Sequence, residues 1–233
     1  MKYIICICTL FASFLSLSGQ EHATSQRLSQ NHTQSFKAKD HVLEYFIFHP
    51  ETPSSKMMIL LTDGNQMTGH LTSIVDSLQH LGIGVIVPKY AEVYSQDREL
   101  LLGLIQKLHF RDRYQILILG IGQGGDLAFE LATKSSLIEA TFVFYAYPRV
   151  KPAEFSRIQG PVFGFYGEND PITQTISSTR KYMRANGKVF QPIIYEGAEH
   201  GFMDFEQDRG DISYNQRAKE AASNRLYEIV LNL

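Results

Sequence analysis

Gly120-Ile121-Gly122-Gln123-Gly124-Gly125 lies between the apolar run Gln115-Ile116-Leu117-Ile118-Leu119 and a helical pattern over 126–134. Strand, glycine-rich turn and helix are the setting of two different chemistries. Gly120, Gly122 and Gly125 spell the dinucleotide fingerprint G-x-G-x-x-G. The same residues fit a nucleophile elbow, G-x-[S/C]-x-G, with Gly122 where the attacking side chain should stand. The first reading gives an oxidoreductase. The second gives a hydrolase, or a hydrolase fold without its attacking atom.

Outward from this turn, the chain alternates strand and helix. Apolar runs bounded by turn residues occur at 42–48, 57–62, 84–87, 115–119, 141–145, 162–166 and 189–195. Several are continuous rather than alternating, as a sheet covered on both faces requires. Helical stripes fall between them: Thr72, Ile74, Val75, Leu78 and Leu81; Leu100, Leu101, Leu104, Ile105 and Leu108; Leu127, Ala128, Leu131 and Ala132. Residues 172–185 form a further helix stopped at Asn186-Gly187, and 211–230 form a last one. The expected fold is α/β, a mostly parallel, doubly wound sheet with helices on both faces. Ligands bind such sheets at the carboxyl ends of the strands, so functional residues should follow strands.

The start of the chain has a different character. Lys2, the apolar stretch 3–17 and small residues up to Gly19 read as a secretory signal peptide over 1–19, too short to span a bilayer. The expected location is therefore secreted or periplasmic, with no membrane partner once the signal is removed. Both cysteines, Cys6 and Cys8, lie in that segment, which leaves the mature chain without a disulfide. Residues 20–40 are Gln-, Ser-, Thr- and His-rich and read as a flexible polar leader, with one domain over 41–233. Asn31-His32-Thr33 matches a glycosylation sequon, a pattern common by chance. The formal net charge of −2 argues against a basic nucleic-acid surface, and no nucleic-acid partner is expected. No repeat or heptad seam points to an oligomeric state. His, Cys and Asp are not grouped at metal spacing.

Three strand ends carry chemistry-bearing residues in the order elbow, acid, histidine. They are the glycine turn; Tyr166-Gly167-Glu168-Asn169-Asp170-Pro171; and Tyr195-Glu196-Gly197-Ala198-Glu199-His200-Gly201-Phe202. That is the chain order of an α/β-hydrolase triad. Asp170 before Pro171 also suits a helix N-cap, a role compatible with the first. Glu168 is the nearest alternative acid. His70 and His80 share one helical pattern and read as surface residues.

With these motifs the chain resembles the dienelactone hydrolase family of α/β-hydrolases. The likeness rests on 118–125 as the elbow, 161–170 as the acid strand, 195–202 as the histidine loop, and Tyr214-Asn215-Gln216-Arg217-Ala218 in the final helix. The resemblance implies His200 as triad base, Asp170 as triad acid and a backbone donor at Gln123 to the oxyanion hole. It implies a second donor from the turn around Thr62, Asp63 and Gly64. Asp63 is by composition a turn residue, made a site candidate by its place after a strand. The implied ligand is a small ester or lactone, with no cofactor. Two departures stand out. The family has cysteine at the nucleophile position and this chain has Gly122. The stretch 90–97 is shorter than the segment lining the family's substrate site.

Glycine cannot attack a carbonyl, yet it relieves the strain of an elbow held at positive φ. Two functions stay open. In one, His200 and Asp170 activate a water held in the space left at Gly122, giving weak hydrolysis without a covalent intermediate. In the other, a non-catalytic pseudo-hydrolase binds a small ligand in the strand-end cleft. The dinucleotide reading is the weaker, because the next strand leads into Ala146-Tyr147-Pro148-Arg149 and supplies no acid for a ribose.

Overall fold

The computed structural model describes residues 33–52, 54–63, 68–89, 96–204 and 212–233. The expected signal peptide, the sequon's Asn31 and His32, Gly64, and the short stretch at 90–95 lie outside the described residues.

Among the described residues, eight strands form one sheet in the order β1-β2-β4-β3-β5-β6-β7-β8. They are β1 (Thr33–Ala38), β2 (His41–Phe48), β3 (Lys56–Leu61), β4 (Gly84–Lys89), β5 (Gln115–Ile121), β6 (Ile138–Phe144), β7 (Val162–Gly167) and β8 (Phe190–Tyr195). The β1–β2 and β2–β4 pairs are antiparallel, and all others are parallel. The helices are α1 (Gly69–His80), α2 (Gln96–Gln106), α3 (Gln123–Lys134), α4 (Ile176–Ala185) and α5 (Ile212–Leu231). This is the mostly parallel, helix-covered sheet expected of an α/β-hydrolase. None of the described helices is long and apolar enough to cross a membrane.

Burial explains the continuous apolar runs. Met57 to Leu61 on β3 and Ile116 to Leu119 on β5 are almost completely buried, so both faces of the central strands are covered. On α3, Leu127, Ala128, Phe129, Leu131 and Ala132 pack inward. Each large apolar side chain buried this way contributes roughly 1.5–3 kcal/mol. Between β6 and β7 the register sets Phe142 against Phe163 and Phe144 against Phe165. Their rings stack at 5.3 and 4.4 Å between centroids. Such pairs add about 0.5–1.5 kcal/mol each beyond burial. They stiffen the two strands whose ends carry Tyr145 and Asp170.

The polar stretch 20–40 is not a leader throughout, since residues Thr33–Ala38 form β1. The strand pairs along its length with β2, and Phe36 and Ala38 pack on the core. Ala38 faces His41 across a hairpin loop of Lys39 and Asp40, with Lys39 at φ 53°. Lys-Asp lacks the Asn-Gly or Asp-Gly signature of such a turn. The domain accordingly includes residues at least eight positions before the expected 41, from Thr33 on. Residues 172–185 begin as a 3₁₀ turn over Pro171–Thr175 before α4 proper.

The two outer strands differ from the rest. β1 is mostly exposed, with Lys37 within it. β8 carries Pro192, which has no N–H to give a further strand.

Candidate active site

The strand order reverses between β3 and β5. From β3 the chain moves outward to β4, then returns to add β5 on the other side of β3. A crevice opens at the carboxyl ends of two strands that diverge in this way. Register sets what meets there. Leu61 pairs with Gly120, so Asp63, two residues beyond Leu61, comes opposite Gly122.

Gly122 has φ 58° and ψ −123° and directly precedes α3. Its carbonyl accepts from Gly125 N at 2.9 Å, and its N–H donates to Phe144 O at 3.2 Å. This conformation is one that side chains rarely adopt, and glycine takes it freely. The other glycines serve close packing. A Cβ on Gly124 would lie 2.2 Å from Leu61 O, so only glycine lets α3 come this near to β3.

The position expected to be empty beside Gly122 holds the carboxylate of Asp63. A Cβ on Gly122 would stand 2.5 Å from Asp63 Oδ2 and 2.8 Å from Oδ1. Oδ1 accepts from Gln123 N at 2.5 Å and from Gly124 N at 3.3 Å. The expected oxyanion donor at Gln123 is therefore engaged by the protein's own anion. The physical reason is the unpaired N–H groups and positive end of α3, which favour a carboxylate. Thr62, the other candidate of this turn, is buried at 7% exposure, whereas Asp63 is exposed. The same carboxylate occupies the N–H groups that a dinucleotide phosphate would need.

Asp170 divides its oxygens between two tasks. Oδ1 accepts from Ile172 N at 2.9 Å, capping the 3₁₀ turn at Pro171. Oδ2 lies 2.8 Å from His200 Nδ1. Asp170 is buried at 3% exposure, while the His200 side chain is 56% exposed. A carboxylate there fixes the tautomer with the proton on Nδ1, leaving Nε2 as an open base. Glu168 instead accepts from Gly197 N at 3.0 Å and has no part in this pair.

The histidine loop is held from below. Phe202 is fully buried, and its ring lies 5.7 Å from Tyr145 and 5.5 Å from Tyr195. Asn169 N donates to Ala198 O at 2.9 Å, and Glu199 N donates to Asn215 Oδ1 of α5 at 2.9 Å. The His200 ring packs on Tyr145, 4.9 Å between centroids. Tyr145 directly follows β6, the neighbour of β5, and the preceding Phe144 accepts from Gly122 N at 3.2 Å, so the imidazole packs on the residue next to the elbow's own hydrogen-bond partner.

Two residues of this region escaped the sequence reading. Tyr145 has φ 38°, a strained conformation for a bulky residue. Its place at a strand end was the available signal. Asp126, in the first turn of α3, accepts from Tyr147 N at 2.9 Å and pairs with Arg149 Nε at 2.7 Å. Burial pushes its carboxyl up from the usual 3.8, Arg149 and the Tyr147 hydrogen bond oppose that, and Asp63 adds to it. Among the described residues no group of His, Cys, Asp and Glu could hold a metal ion.

The profile of the dienelactone hydrolase family matches residues 89–232. Over 117 residues the chain is 37% identical to a Saccharolobus solfataricus protein provisionally named a carboxymethylenebutenolidase. That match covers 48% of this chain and 42% of the relative, so the chain spans less than half of the relative's length. Among solved structures, it is similar to a dienelactone hydrolase from Anabaena variabilis, with TM-score 0.66, 14% identity, and coverage of 84% of this chain and 95% of that one. It is also similar to Thermogutta terrifontis esterase 2, with TM-score 0.63, 18% identity, and coverage of 87% and 95%. At such identities the structural likeness shows the fold, and the profile match over well more than half of the sequence places this chain in the dienelactone hydrolase family.

Proposed function

We propose that this protein hydrolyses small carboxylic esters or lactones, with His200 as general base acting on water. The observation that carries the reading is the 2.8 Å contact of His200 Nδ1 with the buried Asp170. Nδ1–H donates to that carboxylate, and Nε2 takes a proton from water as it adds to the substrate carbonyl. A positioned base of this kind contributes about 10²–10⁴-fold. Gly122 has no side chain, so no acyl group forms on the elbow. The carbonyl oxygen competes with Asp63 for the Gln123 N–H, which keeps turnover low. Export belongs to the same proposal, on the strength of Lys2 and the apolar stretch 3–17.

The test is release of p-nitrophenol from p-nitrophenyl acetate by purified protein and by His200→Ala. A rate unchanged in the variant refutes the reading. A second reading, ligand binding without turnover, is favoured by the Asp63 carboxylate on Gln123 N. It predicts no release above background in either protein.

A further inference from the structure

We infer that Asp63 is itself a nucleophile, for substrates carrying a leaving group on a primary sp³ carbon, such as alkyl halides. The inference rests on the reading of His200 as the site's base. Oδ2 stands 2.5 Å from where the Cβ of an elbow nucleophile would be, so a carboxylate from β3 takes the place of a side chain from β5. Oδ1 is held by Gln123 and Gly124 N–H, which fixes the carboxylate in one orientation. Both described hydrogen bonds of Asp63 fall on Oδ1, and the residue carrying Oδ2 is exposed.

The chemistry of a carboxylate selects the substrate. At an acyl carbon it forms an anhydride, which readily reverts. At an sp³ carbon it forms a stable ester. Here an Oδ2 lone pair forms a bond to the carbon, and the carbon–halogen bond breaks with its electrons leaving on halide. Asp63 is then an alkyl ester whose carbonyl oxygen, Oδ1, already lies against two N–H donors. That oxygen is where negative charge develops when water adds. His200 Nε2 takes one proton from water as its oxygen bonds to Asp63 Cγ. The tetrahedral centre collapses, the Cγ–O(alkyl) bond breaks, and the alkoxide takes the proton from His200. The alcohol leaves, the carboxyl group loses its proton to solvent, and Asp63 keeps one oxygen from water. The net reaction consumes alkyl halide and water and yields alcohol, halide and a proton. Gly122 is then the residue that leaves room for the displaced nucleophile.

The experiment incubates the wild-type protein and His200→Gln with n-butyl bromide and maps adducts by peptide mass spectrometry. A parallel wild-type sample turns over in heavy-oxygen water. The expected result is a mass shift of one butyl group on the Asp63 peptide of His200→Gln, lost in Asp63→Asn. The wild type should show little adduct, and its Asp63 should gain the oxygen label. Equal adduct on Asp63 in wild type and His200→Gln supports the nucleophile and removes His200 as base. An Asp63 unmodified in His200→Gln and unlabelled in the wild type overturns the inference, whatever other residues are alkylated.

Discussion

Asp63 and Gly122 are mutually dependent: the carboxylate of one fills the space that a side chain on the other would need. A side chain at position 122 must displace Asp63 and also hold a φ of 58°. Gly122→Ser should therefore destabilise the protein by about 1–3 kcal/mol, read by chemical denaturation. In an Asp63→Ala background the same substitution should be milder, with a coupling of at least about 0.5 kcal/mol in a double-mutant cycle. The double variant, with Gln123 N–H freed, should show burst kinetics on activated esters that Gly122→Ser alone does not. Additive stabilities would mean that the two residues do not compete.

Asp170 offers a separation of stability from chemistry. Asp170→Ala removes the acceptor for Ile172 N and should lower stability by about 1–3 kcal/mol. Asp170→Asn keeps an acceptor for that N–H but presents an amide to His200, favouring the wrong tautomer. Ester turnover should then fall roughly 10²–10⁴-fold with a smaller loss in the denaturation midpoint than in Asp170→Ala. Equal stability losses with unchanged turnover would make Asp170 a cap alone.

Asp126 makes stability depend on pH. Its folded carboxyl binds a proton more tightly than an unfolded one, whose ordinary value is 3.8. Between those two values the native state holds more protons than the unfolded state, so stability falls as pH rises through the window. Above it the charged, partly buried group is a standing penalty. Asp126→Asn keeps an acceptor for Tyr147 N and lacks this loss. The stability difference between variant and wild type should grow in the variant's favour as pH rises through the elevated value, and reach its floor below 3.8. A difference independent of pH, in denaturation series at several pH values, would contradict this.

Gly124 tests whether the glycine turn serves packing. A Cβ there meets backbone, 2.2 Å from Leu61 O and 2.7 Å from Thr62 N, and backbone cannot rotate aside. Gly124→Ala should cost about 3 kcal/mol or more, seen as a drop of roughly 6–12 °C in Tm. A neutral substitution would show that α3 can move away from β3 without penalty.

Much of the architecture was legible because burial on both faces leaves continuous apolar runs, as on β3 and β5, and because helical stripes such as Leu127 to Ala132 keep their period. The 2.8 Å contact between His200 and Asp170 was legible as an order of strand ends, since turns after strands place residues predictably. What was not legible came from neighbours distant in sequence. β1 is polar, and the ladder to β2 and the packing of Phe36 hold it, neither of which is a property of its own residues. Asp63 reads as a turn residue until the β3–β5 register sets it against Gly122. The strain at Tyr145 and the burial of Asp126 likewise arise from packing rather than from any local pattern.

The two outer strands bear on how copies of this molecule could meet. A sheet edge is a template for further strands, and one that is long, flat and apolar invites another chain to continue it. Here β1 ends the described sheet with an exposed, largely polar strand bearing Lys37, and β8 ends it with Pro192, which withholds a donor. Among the described residues, both margins are poor templates for lengthening the sheet.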